Sequence, residues 1–253
     1  IKDINACKDG KVLVYSQFRT LEGVGMFVEY LDRYGFEEAK LTKSKDSDTY
    51  SVSQKKNPDA DRYMVFDLDR EKANEQVKKF NDRKTNLRGE NVKIMIITES
   101  GSEGISLLNV RRVMIMEPHW NNTVLQQVIG RAIRNKSHEG LNEDEKDVKA
   151  FIYLVKGSDY QRKHNPTLQL KYEGKTTDEE IFTMAEHKKQ IIKQLLDMMR
   201  SSAFDCNIHA KTNTDPNCYR WAHNLDRKLE AYKPMYDNEE LHMLHKKYEE
   251  TKK

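Results

Sequence analysis

NVKIMIITES, residues 91–100, sets Val92, Ile94, Met95, Ile96 and Ile97 in close succession before a polar end. A strand with one solvated face alternates apolar and polar residues, so a near-continuous apolar run predicts a strand covered on both faces, as in a parallel sheet. KVLVYSQF (11–18), RRVMIMEP (111–118) and KAFIYLVK (149–156) repeat the pattern, and RYMVFDLD (62–69) offers a fifth strand. Apolar residues recur at helical spacing over 21–35, 70–82 and 122–135. Strands alternating with helices predict an α/β, doubly wound domain. The polar stretch LTKSKDSDTYSVSQKKNPDAD (41–61) interrupts it and reads as an exposed or partly disordered insertion.

The pattern changes after residue 157, which divides the chain into an α/β domain over 1–157 and a helical extension over 158–253. TTDEEIFTMAEHKKQIIKQLLDMMRSS opens with a capping box of Thr177 and Glu180, then places Ile181, Met184, Ile191, Leu195 and Met199 at helical spacing. A second charged helical segment over about 224–250 contains Pro234, which ends or kinks it.

Among the 253 residues, 44 are basic and 41 acidic, so no global positive field announces nucleic acid and anion binding has to be local. No apolar run is long enough to span a membrane, and the start lacks the apolar segment of a signal peptide. Three cysteines make no disulfide framework, which fits a soluble protein of a reducing, intracellular compartment. A first residue other than Met suggests a piece of a longer protein.

Two segments carry candidate chemistry. ITESGSEGISLLN (97–109) leaves a strand at Thr98 and turns through Gly101 and Gly104 among Ser100, Ser102 and Ser106. Loops at the carboxyl ends of parallel strands bind ligands, glycines admit a phosphate to the backbone, and hydroxyls donate to it. Two glycines also mark an ordinary turn. QVIGRAIRNKSH (127–138) projects Gln127, Arg131 and Arg134 into one sector of a helix, with Val128, Ile129, Ala132 and Ile133 opposite. A solvated helix face is the plain reading; the alternative is a preorganised pair of guanidinium forks for phosphate oxygens, near the mouth of the sheet.

Together these segments resemble superfamily-two helicases: KVLVYSQF is similar to motif IV, ITESGSEGIS to motif V and QVIGRAIR to motif VI (QxxGRxxR), in family order over residues 11–134. GSEGISLLNVRRVMIMEPHWN, IGRAIRNKSH and the later DEEIF and FDC segments resemble, more narrowly, the helicase-like ATPases of large cytoplasmic DNA viruses, of the poxvirus early transcription factor and nucleoside triphosphate phosphohydrolase type. EPHWN with QQVIGRAIR is also similar to the Swi/Snf-type remodelling ATPases. The resemblance implies a RecA-like domain with a mainly parallel sheet flanked by helices, followed by an α-helical C-terminal extension. It implies that Arg131 and Arg134 face the triphosphate of ATP, bound with Mg²⁺ on a preceding RecA-like lobe, with Arg134 the first choice for arginine finger. Gln127 would order that site, with Gly104 shaping the turn. Ser106 stands where many relatives carry an Asp for the ribose, which puts a ribose contact in doubt. Thr98, Ser100 and Gly101 would touch a DNA or RNA backbone, as would Ser16 and Gln17 unless these merely satisfy a strand end.

Implied partners are the first lobe and viral RNA polymerase or transcription machinery, in the host cytoplasm and virion. The chain contains no GxxxxGK[ST] and no DExH-type motif, so by itself it is expected not to hydrolyse ATP. A catalytically silent RecA-like scaffold is the competing reading. Outside the motifs, Cys206, His209, Cys218 and His223 have the residue types of a zinc site in an unusual order, and no metal is favoured. Trp120 and Trp221 read as packing residues before base-stacking platforms.

Overall fold

The apolar runs become strands in the computed structural model, which describes residues 1–7, 9–43, 49–99, 104–164 and 175–203. In chain order the strands are β1 (Lys11–Tyr15), β2 (Glu37–Glu38), β3 (Leu41–Lys43), β4 (Tyr50–Val52), β5 (Arg62–Val65), β6 (Ile94–Ile97), β7 (Val110–Ile115) and β8 (Lys149–Ile152). Six of them form one sheet in the order β2-β5-β6-β1-β7-β8, with every pairing parallel. Every residue of β1 and β6 is buried, as their unbroken apolar character predicts.

Alternate residues of β1 serve opposite faces. Val12 and Val14 pack with Ile4 of α1 (Lys2–Asn5) and Leu31 of α2 (Met26–Arg33). Leu13 and Tyr15 belong to the other core, with Ala73 and Phe80 of α3 (Arg70–Asn81) and Leu125, Val128 and Ala132 of α4 (Asn122–Ala132). Each large apolar side chain so enclosed stabilises the fold by about 1.5–3 kcal/mol. Asp69 caps α3 by accepting from Lys72 N at 3.0 Å, and Asn121 caps α4 by accepting from Thr123 N at 2.9 Å. This mainly parallel sheet with helices on both faces is the expected RecA-like architecture.

Several expectations need correction. The described residues of the 41–61 stretch are almost all exposed or half-buried, but they include an antiparallel hairpin of β3 and β4, whose Leu41 and Val52 pack against the second core. Two apolar side chains on one face suffice to anchor so short a ribbon; residues 44–48 lie outside the description. The segment 21–35 is helical only from Met26, because Gly23 has φ −131° and ψ −107°. KAFIYLVK forms an edge strand, and Lys149, Ala150 and Ile152 of β8 are exposed rather than covered on both faces.

Two short helices follow β7 and β8: a single turn at Glu143–Glu145 and α5 (Asp159–His164). The long amphipathic helix is α6 (Thr177–Ser202), but its capping box begins one residue earlier than expected. Thr176 Oγ1 accepts from Glu179 N at 3.3 Å while Glu179 Oε2 accepts from Thr176 N at 3.0 Å. Residues Ile1–Glu186 form one compact unit, and the remainder of α6 from His187 belongs to a second. The charged segment at 224–250 lies outside the described residues.

Chain direction positions the candidate site. After β1 the chain crosses to the β2 edge, whereas after β6 it crosses over β1 to β7. Because the chain leaves β7 for β8 at the opposite edge, the adjacent carboxyl ends of β1 and β7 form a topological switch point, where open α/β sheets bind ligands.

Candidate functional site

At that switch point the β1 end is organised around a carboxylate that the motifs did not single out. Ser16 Oγ donates to Glu117 Oε1 at 2.7 Å, and Gln17 N donates to Glu117 Oε2 at 3.2 Å. Gln17 Nε2 reaches Pro118 O at 3.3 Å, and Phe18 N donates to Ser16 Oγ at 3.2 Å. Burial pushes the Glu117 carboxyl up from its ordinary range, and the bonds from Ser16 and Gln17 oppose that shift. Ser16 is 1% exposed and fully engaged, so its hydroxyl organises the strand end. Gly23 packs directly on this turn: a Cβ there would stand 2.1 Å from Phe18 O and 2.6 Å from Ser16 Oγ. Neither Glu117 nor Gly23 carries a local signal, since each acts on residues distant in sequence or across a turn.

Thr98 follows β6 and is buried, while Ser100 and Gly101 lie outside the described residues. Trp120, expected to pack, is 57% exposed, with its ring stacked on His119 at a centroid distance of 5.8 Å.

The arginines stand elsewhere. α4 starts beyond the carboxyl end of β7 and returns antiparallel to the strands, so its 11 residues carry the chain about 16 Å toward their amino ends. Arg131 and Arg134 are thus separated from Ser16, Gln17 and Thr98, and the expected convergence at the mouth of the sheet does not occur. Arg134 is also outside the helix. α4 ends at Ala132, and Ile133 is extended with φ −112° and ψ 92°. Ser137 causes the break, because its hydroxyl accepts from Arg134 N at 3.2 Å and lies 3.3 Å from Ala132 O. The turn closes through Ser137 N to Arg134 O at 3.0 Å, with Lys136 at φ 62°. His138 continues the anchor, with Nε2 2.8 Å from Val110 O at the start of β7.

Arg134 itself is exposed. Its Nη1 donates to Ser106 Oγ, and its Nε reaches Gly130 O at 3.4 Å. Among the described residues it forms no ion pair, unlike Arg88 with Glu145, Arg111 with Asp147 and Arg83 with Glu139. A guanidinium held by a hydroxyl and a carbonyl is fixed in place yet keeps its charge uncompensated. Arg131 is half-buried on α4, and Gln127 is exposed on the same helix.

The loop between β6 and β7 links the two ends of the site. Gly104, at φ 77°, is exposed with open space where a Cβ would be. Beyond it Leu107 is fully buried, and its N–H donates to Arg131 O at 3.0 Å. Asn81, the last residue of α3, holds the loop from the other side: Nδ2 donates to Ser106 O at 2.8 Å and Oδ1 accepts from Leu108 N at 2.8 Å. Helical periodicity gave no hint of this role. The candidate zinc residues Cys206, His209, Cys218 and His223, together with Trp221, lie outside the described residues. Among the described residues no cluster of three metal-ligating side chains occurs, and no helix is long and apolar enough to cross a membrane.

The six-stranded parallel sheet with helices on both faces is a RecA-like fold. The helicase conserved C-terminal domain matches residues 1–136, more than half of the chain, and the chain belongs to that family. A putative ATP-dependent RNA helicase, R350 of Acanthamoeba polyphaga mimivirus, is 29% identical over 83% of this chain and 23% of its own length. Nucleoside triphosphatase I of Melanoplus sanguinipes entomopoxvirus is 26% identical over 83% of this chain and 27% of its own length. A termination factor NPH-I homolog of African swine fever virus is 28% identical over 59% of this chain and 21% of its own length. Against these relatives the chain spans about a quarter of their length. The C-terminal part of the Fun30 ATPase domain aligns over 73% of this chain and 50% of that chain, at 15% identity and a TM-score of 0.43.

Proposed function

We propose that the chain is the C-terminal lobe, with a helical extension over 158–253, of an ATP-dependent nucleic-acid helicase or translocase, viral and associated with transcription. One observation carries this reading: Arg134 is exposed, anchored through Ser106 and Gly130, and has no ion pair among the described residues. Arg88, Arg111 and Arg83 spend their charge on carboxylates, whereas a finger keeps its charge for a phosphoryl group. Mg²⁺·ATP, held by a first lobe bearing the Walker A and DExH-type residues, would supply the phosphoryl group. Arg134, with Arg131 on the preceding turn, would offset the charge that develops during transfer, and Gln127 would face the same cleft.

Nucleic acid, DNA or RNA, would meet the carboxyl edge of the sheet through Thr98, Ser100 and Gly101. Ser16 and Gln17 act there by holding Glu117 and the strand end. Ser106 serves as an anchor for Arg134 in place of a ribose ligand. Both relatives named for nucleoside triphosphatase and termination activity are viral, which supports a role beside a viral RNA polymerase in the infected-cell cytoplasm. Zinc bound by Cys206, His209, Cys218 and His223 is not favoured.

The test uses the protein with its first lobe present. Arg134→Ala should lower nucleic-acid-stimulated ATPase by about 10³-fold with the melting temperature unchanged. Undiminished turnover refutes the finger, and a full-length sequence lacking Walker A and DExH-type motifs favours the silent scaffold.

A further inference from the structure

Asn81 lies outside motifs IV, V and VI, yet it is the residue that fastens the motif V loop to the body of the domain. Three connections run in series. The Asn81 carboxamide spans Ser106 O and Leu108 N, both at 2.8 Å. Between those two points Leu107 N donates to Arg131 O at 3.0 Å, and Leu107 is fully buried in the core that α3 and α4 share. Ser106 Oγ then receives Arg134 Nη1. The loop is therefore stitched to α3 on one side and to the arginine-bearing turn on the other.

We infer that Asn81 is a positioning residue for Arg134, acting through the Ser106 segment; the inference rests on the finger reading above. A carboxamide is the group this place requires. It donates to a carbonyl and accepts from an N–H two residues further along, as one side chain satisfying a short piece of extended backbone. An Asp offers no N–H to Ser106 O, and a Leu satisfies neither group. Freed from Asn81, the loop could shift along α3, and Ser106 would carry the guanidinium with it. A displacement of about 1 Å at a charge-stabilising group costs on the order of 100-fold in rate.

α3 gives the clamp a firm base. Its first turn is capped by Asp69, Gln76 donates to Val65 O at 2.8 Å and accepts from Asp67 N at 2.8 Å, and Phe80 is fully buried next to Asn81. Through Asp67 and Asp69, which follow β5, the same helix reaches the carboxyl edge of the sheet. Asn81 thereby ties the position of Arg134 to an element that starts at the nucleic-acid edge.

The experiment is a double-mutant cycle in the protein with its first lobe present, reading kcat and KM for ATP with saturating nucleic acid. Asn81→Ala should lower kcat by about 10-fold to 100-fold and leave KM within two-fold, since a mispositioned finger is felt in the transition state. In the Arg134→Ala background the same substitution should change kcat by less than two-fold. Equal losses in both backgrounds overturn the inference, because Asn81 would then act independently of Arg134. Full activity of Asn81→Ala beside a collapsed Arg134→Ala overturns it while leaving the finger intact; full activity of both removes the finger and the inference together. If Asn81→Ala fails to fold, Asn81→Asp carries the same cycle, since it removes the donor to Ser106 O and keeps the acceptor for Leu108 N. A loss confined to the Arg134 background supports the inference, and an equal loss in both overturns it.

Discussion

Lys11 should make the protein more stable as the pH rises above neutrality, and replacing it by methionine should abolish that trend. Its ammonium is fully buried at the start of β1, 2.6 Å from Phe80 O and 4.7 Å from the centre of the Phe80 ring. Burial pushes its pKa down to about 7, against the smaller upward pull of Glu90 and Asp82. In the unfolded chain the value is about 10.4. Between these limits the unfolded state binds more protons than the folded state, so stability rises with pH at up to about 1.4 kcal/mol per unit. It falls again as the pH drops through the folded value, below which the full cost of burying the charge is present. Working the two pKa values through gives a gain of about 2 kcal/mol from pH 7 to pH 9. Lys11→Met keeps the buried volume and places a thioether near the ring, and Phe80 O retains its bond from Asn86 Nδ2 at 2.9 Å. Urea denaturation at both pH values should find the variant more stable at pH 7, with its advantage reduced by about 2 kcal/mol at pH 9. A variant less stable at pH 7, or an advantage equal at both, refutes the reasoning.

Two further substitutions probe the supports of the site. Gly23→Ala would drive a methyl to within 2.1 Å of Phe18 O and should cost about 2 kcal/mol in urea denaturation, so an unchanged midpoint would contradict the packing described for the β1 turn. Glu145→Gln removes the paired bonds from Arg88, at 2.8 and 2.9 Å, which hold the carboxyl down at about 2, with the Asn142 amide as the second cause. A depressed carboxylate stabilises the fold above its unfolded pKa of about 4.3 and loses that contribution as the pH falls through the folded value. The variant should therefore melt below the parent at pH 6, and the gap should close toward pH 2; a gap independent of pH is the contrary result.

The central strands were legible because their information is local and redundant. Ile94, Met95, Ile96 and Ile97 have no polar partner to offer a solvated face, so only two-sided burial accommodates them. β2 was not legible, since Glu37 and Glu38 join the sheet through backbone bonds beside β5 that no side-chain pattern encodes. The same distinction separates Arg131 from Arg134. Helical periodicity carries both onto one face, but periodicity is a statement about neighbours three and four residues away, and it says nothing about a hydroxyl that competes for the helix end. Ser137 lies within the quoted motif stretch, yet its effect depends on bonding both Ala132 O and Arg134 N after the chain has turned back. Asn81 is harder still, because its two partners are 25 and 27 residues away and its own position looks like an ordinary helix end. A side chain that satisfies distant backbone has no periodic signature, and motif reading therefore finds the groups that face a ligand more readily than those that hold them. Ser106 shows the consequence: as a sequence position it is a departure from the ribose-binding Asp, while in the folded lobe it is the hinge between the Asn81 clamp and the Arg134 guanidinium. An Asp at 106 would set a carboxylate against that guanidinium, so the departure and the exposed arginine without an ion pair among the described residues belong to a single arrangement.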